Sequence, residues 1–106
     1  MSTTFNVRGA LIVIRALLYG PAGTRNVLLA LDTGATWSVV NQNVLDVIGY
    51  VPSLASARMT MATGSGLEVV PTLVIDRIDA LGQHRRQFRV LCHTLPAAVR
   101  VEGILG

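Results

Sequence analysis

The sequence predicts an all-β domain, a closed barrel with one short helix. Apolar runs rich in Val, Ile and Leu recur along the chain, and turns containing Gly or Pro separate them at short intervals. The chain is 51% hydrophobic and 14% charged, which excludes a disordered chain and provides for a buried core. With 106 residues and no internal repeat, it is predicted to be a single domain spanning 1–106.

The first half of the chain predicts strands followed by a helix. The strands are expected at 5–9, 10–18, 25–31 and 36–40, with a turn at 20–23. Asn41 or Asn43 is expected to cap a short helix that runs to Ile48 and is closed by Gly49. A loop at Pro52 and Ser53 follows.

The second half predicts two long hairpins. Strands at 58–62 and 67–78 flank the glycine-rich turn at 63–66, and a turn at 80–83 leads into a strand at 87–95. Pro71 interrupts the longest strand, so an edge position or a bend is expected there.

The segment 27–36 carries the strongest chemical signal, because an apolar run ends in Asp32, Thr33 and Gly34. Asp can serve as an ordinary turn residue at a strand end. Alternatively, a carboxylate held by a rigid strand, beside a glycine that permits close backbone approach, can pair with a second carboxylate and activate water. The apolar strand before the motif and the β-branched residues after it favour the catalytic interpretation.

Three segments resemble the retropepsin-like aspartic proteases, the single-lobed relatives of pepsin. Residues 29–40 are similar to the active-site loop of that family, and 61–66 resemble the glycine-rich tip of its flap hairpin. Residues 103–106 resemble the apolar-apolar-Gly element that packs behind the loop. The three occur in the family's order. The resemblance implies a retropepsin-like acid-protease barrel and an aspartic endopeptidase with Asp32 as its catalytic residue.

The resemblance also implies roles for the neighbours of Asp32. Thr33 would lock the loops of two subunits, Gly34 would admit the substrate backbone, Ala35 would line the cleft floor, and Ser38 would support the loop from behind. Plainer interpretations exist for two of them: Thr33 can satisfy its own backbone, and Gly34 can be a simple turn glycine. Trp37 is expected to anchor the core or an interface rather than contact substrate.

The predicted flap tip consists of Thr63, Gly64, Ser65 and Gly66. It would close over a bound peptide and pair with it as an added strand, unless it is an ordinary exposed hairpin tip. Three apolar residues beside it line side-chain pockets or fill the core: Met59, Met61 and Leu67.

A single Asp-Thr-Gly per chain implies a homodimer with the site on its two-fold axis, because the chemistry needs two carboxylates. The chain departs from the family pattern where it ends at Gly106, since family members continue into a helix. Either the sequence is truncated or dimerisation differs, so the activity of the chain as it stands is left open.

The homodimer and a peptide or protein substrate are the expected partners, whereas nucleic acid and membrane have weak support. The net charge is +3, but the arginines are scattered, and only Arg85, Arg86 and Arg89 form a cluster, so no nucleic-acid binding is expected. The run 10–18 is too short to span a bilayer, and no secretory signal is apparent, so a cytoplasmic location is expected.

No cofactor and no metal are expected, because Cys92 is the only cysteine and the two histidines lack metal-ligand spacing. Cys92 is predicted to be a buried, inert thiol, with a Cys92–His93 pair as a remote alternative. Three other functions are left open: a non-catalytic dimerisation or peptide-binding module, the protease segment of a retroelement polyprotein, and a nucleic-acid-associated domain of such a polyprotein.

Overall fold

The fold is built almost entirely from strands. The computed structural model describes residues 12–96 and 100–106, so the predicted strand at 5–9 lies outside the described residues. Within these described residues, seven strands, one α-helix and a 3₁₀ turn at Pro52–Leu54 follow one another. Their bounds are β1 Val13–Gly20, β2 Gly23–Leu31, β3 Val39–Val40, α1 Gln42–Val47, β4 Ala57–Thr63, β5 Gly66–Ala80, β6 Gln83–Cys92 and β7 Gly103–Leu105.

Six of the strands close into a barrel, as the sequence predicts. The sheet order is β1-β2-β7-β3-β6-β5-β4, and an additional pairing of β1 with β5 closes the ring and leaves β4 outside it. Most pairs are antiparallel, but β7 runs parallel to β2 and β3 runs parallel to β6. The parallel β2–β7 pair places residues 103–105 beside the end of β2, where the antiparallel β1–β2 pair also places the start of β1.

The predicted turns agree with the structure. Gly20 pairs with Gly23 across a two-residue turn, and Gly66 adopts a positive φ of 118° where the β4–β5 hairpin returns. The third hairpin turns through Leu81 and Gly82, both with positive φ (55° and 74°), a conformation that suits Gly but strains Leu.

The helix begins and ends as the sequence predicts. Asn41 lies at the N-cap position, but its side chain makes no capping bond there; Asn41 Oδ1 instead accepts a hydrogen bond from Leu95 N at 3.0 Å. Gly49 follows the helix with a φ of 104°, which explains the stop. Pro52 and Ser53 form a 3₁₀ turn rather than an irregular loop.

Two predicted strands differ most from the structure. The strand expected at 36–40 consists only of Val39 and Val40, and the residues before it form a loop. The strand expected at 87–95 spans Gln83–Cys92 instead, because it pairs with β5 from the turn onward, except between Asp76 and Gln87. Pro71 lies just before the first β5–β6 pair, Thr72 with Leu91, so its missing N–H costs that ladder nothing.

Apolar side chains pack on both sides of the sheet at β3. The barrel core includes Val40 and is completed by Leu18, Leu29, Leu45, Ile48 and Ile75 among others. Val39 faces the opposite side, because neighbouring residues of a strand alternate. There it joins a second cluster with Val70 and Leu91, against which Met59, Met61 and Ile104 pack.

Within the described residues, no helix is long and apolar enough to cross a bilayer.

Candidate active site

Asp32 lies where β2 ends, and hydrogen bonds hold its loop in place. Asp32 N donates to Leu105 O at 3.0 Å, which extends the parallel β2–β7 pairing by one residue. Ala35 N donates to Asp32 O at 3.0 Å and closes a tight turn. Gly34 N donates to Asp32 Oδ1 at 2.9 Å, so the turn also orients the carboxylate. The loop thus presents a half-buried carboxylate on a rigid strand end.

Residues 103–106 lie directly behind this loop. Gly106 N donates to Ser38 Oγ at 3.1 Å across 68 residues of sequence. A Cβ at Gly106 would approach Ala35 O to 2.8 Å and Trp37 O to 2.9 Å, and one at Gly103 would overlap Val39 O. Glycine is therefore required at both positions for β7 to come this close to the loop.

The predicted site residues around Asp32 differ in exposure. Ser38 is buried, Ala35 is half-buried, and Thr33 and Gly34 are exposed. The buried Ser38 hydroxyl accepts the hydrogen bond from Gly106 N, so it contacts the segment that lies behind the loop. Trp37 is 39% exposed and so lies outside the buried core, which removes the core alternative and leaves the interface and substrate alternatives.

The predicted flap tip projects beyond the barrel. Residues 66–71 of β5 pair only with β4, so Thr63–Gly66 closes a two-stranded hairpin. Thr63 Oγ1 organises the tip: it accepts from Ser65 N at 3.2 Å and lies 3.1 Å from Gly66 O and 2.8 Å from Glu68 Oε2. Across residues 12–96 and 100–106, no hydrogen bond joins this tip to the Asp32 loop.

The second cluster connects the base of that hairpin to the strands that carry the loop. Met59 and Met61 are half-buried against it, whereas Leu67 is 77% exposed and belongs to neither cluster. Val39 follows Ser38 directly, and Ile104 pairs with both Val39 and Ala30. One wall of apolar side chains therefore runs from the hairpin to the Asp32 loop.

Sequence reasoning missed most of this wall. Val39, Val70, Leu91 and Ile104 are ordinary strand residues in sequence, and their convergence depends on pairings between distant segments. Glu68 was also missed. The signal that identifies it is alternation: Met59, Met61 and Thr63 share one face of β4 and are paired with Val70, Glu68 and Gly66.

Cys92 lies in the barrel core at 5% exposure, and burial raises the pKa of its thiol, with the charge of Asp46 adding to the effect. A raised pKa disfavours the thiolate that a nucleophile needs. His93 N donates to Val40 O at 3.1 Å, and no hydrogen bond links its ring to Cys92 within the described part of the chain. The predicted inert thiol is therefore consistent with the structure.

A second set of titratable groups lies where β1 meets β5 and where β5 turns into β6. Arg77 Nε donates to Asp79 Oδ1 at 2.7 Å, and Tyr19 OH donates to Asp79 Oδ2 at 2.7 Å. His84 Nδ1 lies 2.7 Å from Asp79 Oδ1. Bonding to the Arg77 guanidinium, with help from Tyr19 and His84, holds the pKa of Asp79 well below its ordinary value. Arg85, Arg86 and Arg89 are exposed on β6 nearby.

No model of a known protein family matches the sequence, and no curated protein matches it either. Solved structures that are similar to it in fold include two aspartic proteases. A retropepsin-like aspartic protease from Rickettsia conorii superposes with a TM-score of 0.62 at 15% identity, covering 82% of this chain and 68% of that one. EIAV protease complexed with the inhibitor HBY-793 gives a TM-score of 0.65 at 20% identity, covering 98% of this chain and 88% of that one. The chain therefore has the retropepsin-like fold, as the three sequence segments predict.

Proposed function

We propose that this protein is an aspartic endopeptidase that hydrolyses peptide bonds, with 1–106 as its protease domain. The observation that carries the proposal is Asp32: a half-buried carboxylate at the end of a barrel strand, oriented by Gly34 N, in a fold shared with two aspartic proteases. A binding module has no need of an ionisable group at this point, where an amide would accept the same hydrogen bond.

The proposed reaction uses two Asp32 carboxylates, one from each subunit of a homodimer. Two carboxylates within hydrogen-bond reach cannot both ionise easily, so the pair shares one proton, as in aspartic proteases generally. The ionised carboxylate takes a proton from a bound water, which attacks the scissile carbonyl carbon. The protonated carboxyl donates to the carbonyl oxygen. The titration belongs to the pair and not to either residue.

The neighbouring residues have supporting roles in this proposal. The exposed Thr33 hydroxyl is free to bond the partner's loop, and Gly34 leaves room for the substrate backbone. Ala35 lines the floor, and Ser38 holds the loop through Gly106.

The peptide is proposed to lie between the Asp32 loop and the hairpin tip. It pairs with the hairpin tip as an added strand. Thr63, Gly64, Ser65 and Gly66 then close over the peptide. The apolar wall of the second cluster favours apolar side chains beside the scissile bond.

Hydrolysis of a peptide library by the wild-type chain and by the Asp32→Asn variant tests the proposal. Asn keeps the shape and the acceptor for Gly34 N but cannot exchange protons, so we expect the rate to fall by about 10²- to 10⁴-fold with an unchanged circular dichroism spectrum. The wild-type rate should follow a bell-shaped pH profile with its optimum below neutrality. Full activity in Asp32→Asn would overturn the assignment.

Dilution tests the shared site. A lone Asp32 lacks its partner, so specific activity should fall as the dimer dissociates and should track the dimer fraction measured by sedimentation. Constant specific activity in a sample that sediments only as monomer would contradict the dimer.

A further inference from the structure

The face of the β4–β5 hairpin that looks toward the Asp32 loop carries a single charged residue. Residues directly opposite each other in an antiparallel pair share a face, and the pairs here are Met59 with Val70 and Met61 with Glu68. Val70 is a member of the second cluster, and Met59 and Met61 pack against it. Its member Val39, with the adjoining Ile104, flanks the loop. Glu68 therefore lies on the same face, one pair nearer to the tip.

The other charge on this part of the hairpin points away. Arg58 pairs with Pro71 and so occupies the opposite face, and Arg58 Nη2 lies 3.5 Å from Ser53 O. Arg58 and Glu68 border one cavity, but no ion pair joins them, because within the described residues only Asp79 forms ion pairs. Glu68 thus has no salt-bridge partner among these residues.

The carboxylate of Glu68 retains most of its hydrogen-bonding capacity. It is half-buried, Oε2 lies 2.8 Å from Thr63 Oγ1, and Oε1 has no donor within residues 12–96 and 100–106. A peptide enclosed under the hairpin would remove water from this oxygen, which costs free energy unless the peptide supplies a donor. An Arg or Lys side chain supplies both the donor and the opposite charge.

We propose that Glu68 is a specificity-determining residue that selects a cationic side chain in a peptide bound beneath the hairpin. The inference rests on the proposed function in one respect: it uses the same cleft between the Asp32 loop and the hairpin. The apolar wall and Glu68 together define the preferred ligand: a peptide with apolar residues beside the scissile bond and one Arg or Lys at the subsite next to the hairpin tip.

Peptide binding measured in the Asp32→Asn background tests this without hydrolysis. The probes are apolar octapeptides in which Arg, or its uncharged isostere citrulline, is moved through each position in turn. We expect Arg to bind about three- to tenfold more tightly than citrulline at one position, and the ratio to shrink as salt screens the pair. Glu68→Gln keeps an acceptor for Thr63 and should bring the ratio close to one.

Asp46→Asn is the matched control, because it removes the same charge from an exposed position on α1. It should leave the Arg preference unchanged. Equal affinity for Arg and citrulline at every position, or no binding of any peptide, would overturn the inference. A Glu68→Gln variant that weakens the dimer in sedimentation without altering peptide preference would also overturn it, since Glu68 then pairs with a cation of the partner subunit.

Hydrolysis by the wild-type chain separates the two proposals. Cleavage without any Arg preference contradicts the role of Glu68 and leaves the endopeptidase standing. Arg-selective binding abolished by Glu68→Gln, with no cleavage by the wild-type chain, contradicts the endopeptidase and leaves the role of Glu68 standing.

Discussion

Asp32 and Asp79 are both carboxylates at the C-terminal ends of barrel strands, yet they differ in how many hydrogen-bond partners they have. Asp79 interacts with Arg77, Tyr19 and His84 through both of its oxygens. Asp32 accepts one bond, from Gly34 N to Oδ1, and Oδ2 has no donor within the described parts of the chain. One carboxylate is saturated by side chains, and the other is held by backbone alone.

The difference comes from the cross-strand neighbours. Tyr19 is opposite Arg77, and Asp79 is opposite His84, so two strands place donors around Asp79. The Arg77 guanidinium also lies 4.8 Å from the centre of the Tyr19 ring. At Asp32 the neighbouring strand supplies the backbone of Leu105, which fixes the chain and leaves the side chain uncommitted. A saturated carboxylate stabilises the fold, whereas spare acceptor capacity on a fixed backbone suits chemistry.

Gly103→Ala breaks the backbone support of Asp32 and should have the largest effect on stability. The added Cβ would overlap Val39 O and approach Leu29 Cδ2 to 2.9 Å, and neither neighbouring strand can move freely. We expect the free energy of unfolding to fall by about 3 kcal/mol in urea denaturation. An unchanged midpoint would show that β7 is not tightly packed behind the loop.

Ser38→Ala weakens the same support more gently. It removes the acceptor of Gly106 N while leaving the exposed Gly106 open to water, so we expect a loss of about 1 kcal/mol in the free energy of unfolding. If the loop orients Asp32 for hydrolysis, the catalytic rate should fall as well. Ser38→Thr retains the hydroxyl and serves as the control. Equal losses of unfolding free energy in both variants would show that side-chain packing, and not the hydrogen bond to Gly106 N, is responsible.

Asp79→Asn tests the other half of the comparison. It removes the charge that Arg77 and Tyr19 bind, so the melting temperature should fall modestly, while peptide hydrolysis at a temperature well below the melting point stays unchanged. Asp32→Asn should give the reverse pattern. A rate loss in Asp79→Asn at full folding would show that the two regions are coupled.

The pH dependence of the melting temperature should reveal the contribution of Asp79, and it is the smallest of the expected effects. Its pKa is lowered in the folded chain from an ordinary value of 3.8, so its contribution is fully present well above that value. The contribution is lost as the pH falls below about 4, because the unfolded chain then binds the proton more readily. The difference in melting temperature between wild type and Asp79→Asn should therefore narrow from pH 6 to pH 3. A constant difference would contradict the cause given for the lowered pKa.

The sequence by itself determined the local features of this protein. Glycine and proline place the three hairpin turns, β-branched runs place the strands, and Gly49 ends the helix, since each depends on the conformational preferences of a few adjacent residues. The order of Asp32, the glycine-rich tip and residues 103–106 was enough to predict the retropepsin-like fold.

Only the tertiary structure decided which distant residues meet. The parallel β2–β7 pairing joins Asp32 to Leu105, and Ser38 O accepts from Leu91 N at 2.9 Å where the parallel β3–β6 pairing begins. Tyr19 reaches Asp79 across 60 residues, and Glu68 acquires its position through the register of β4 with β5. A shift of one residue in that register would move every side chain to the opposite face, so the charge of the candidate cleft depends on strand pairing and not on local sequence.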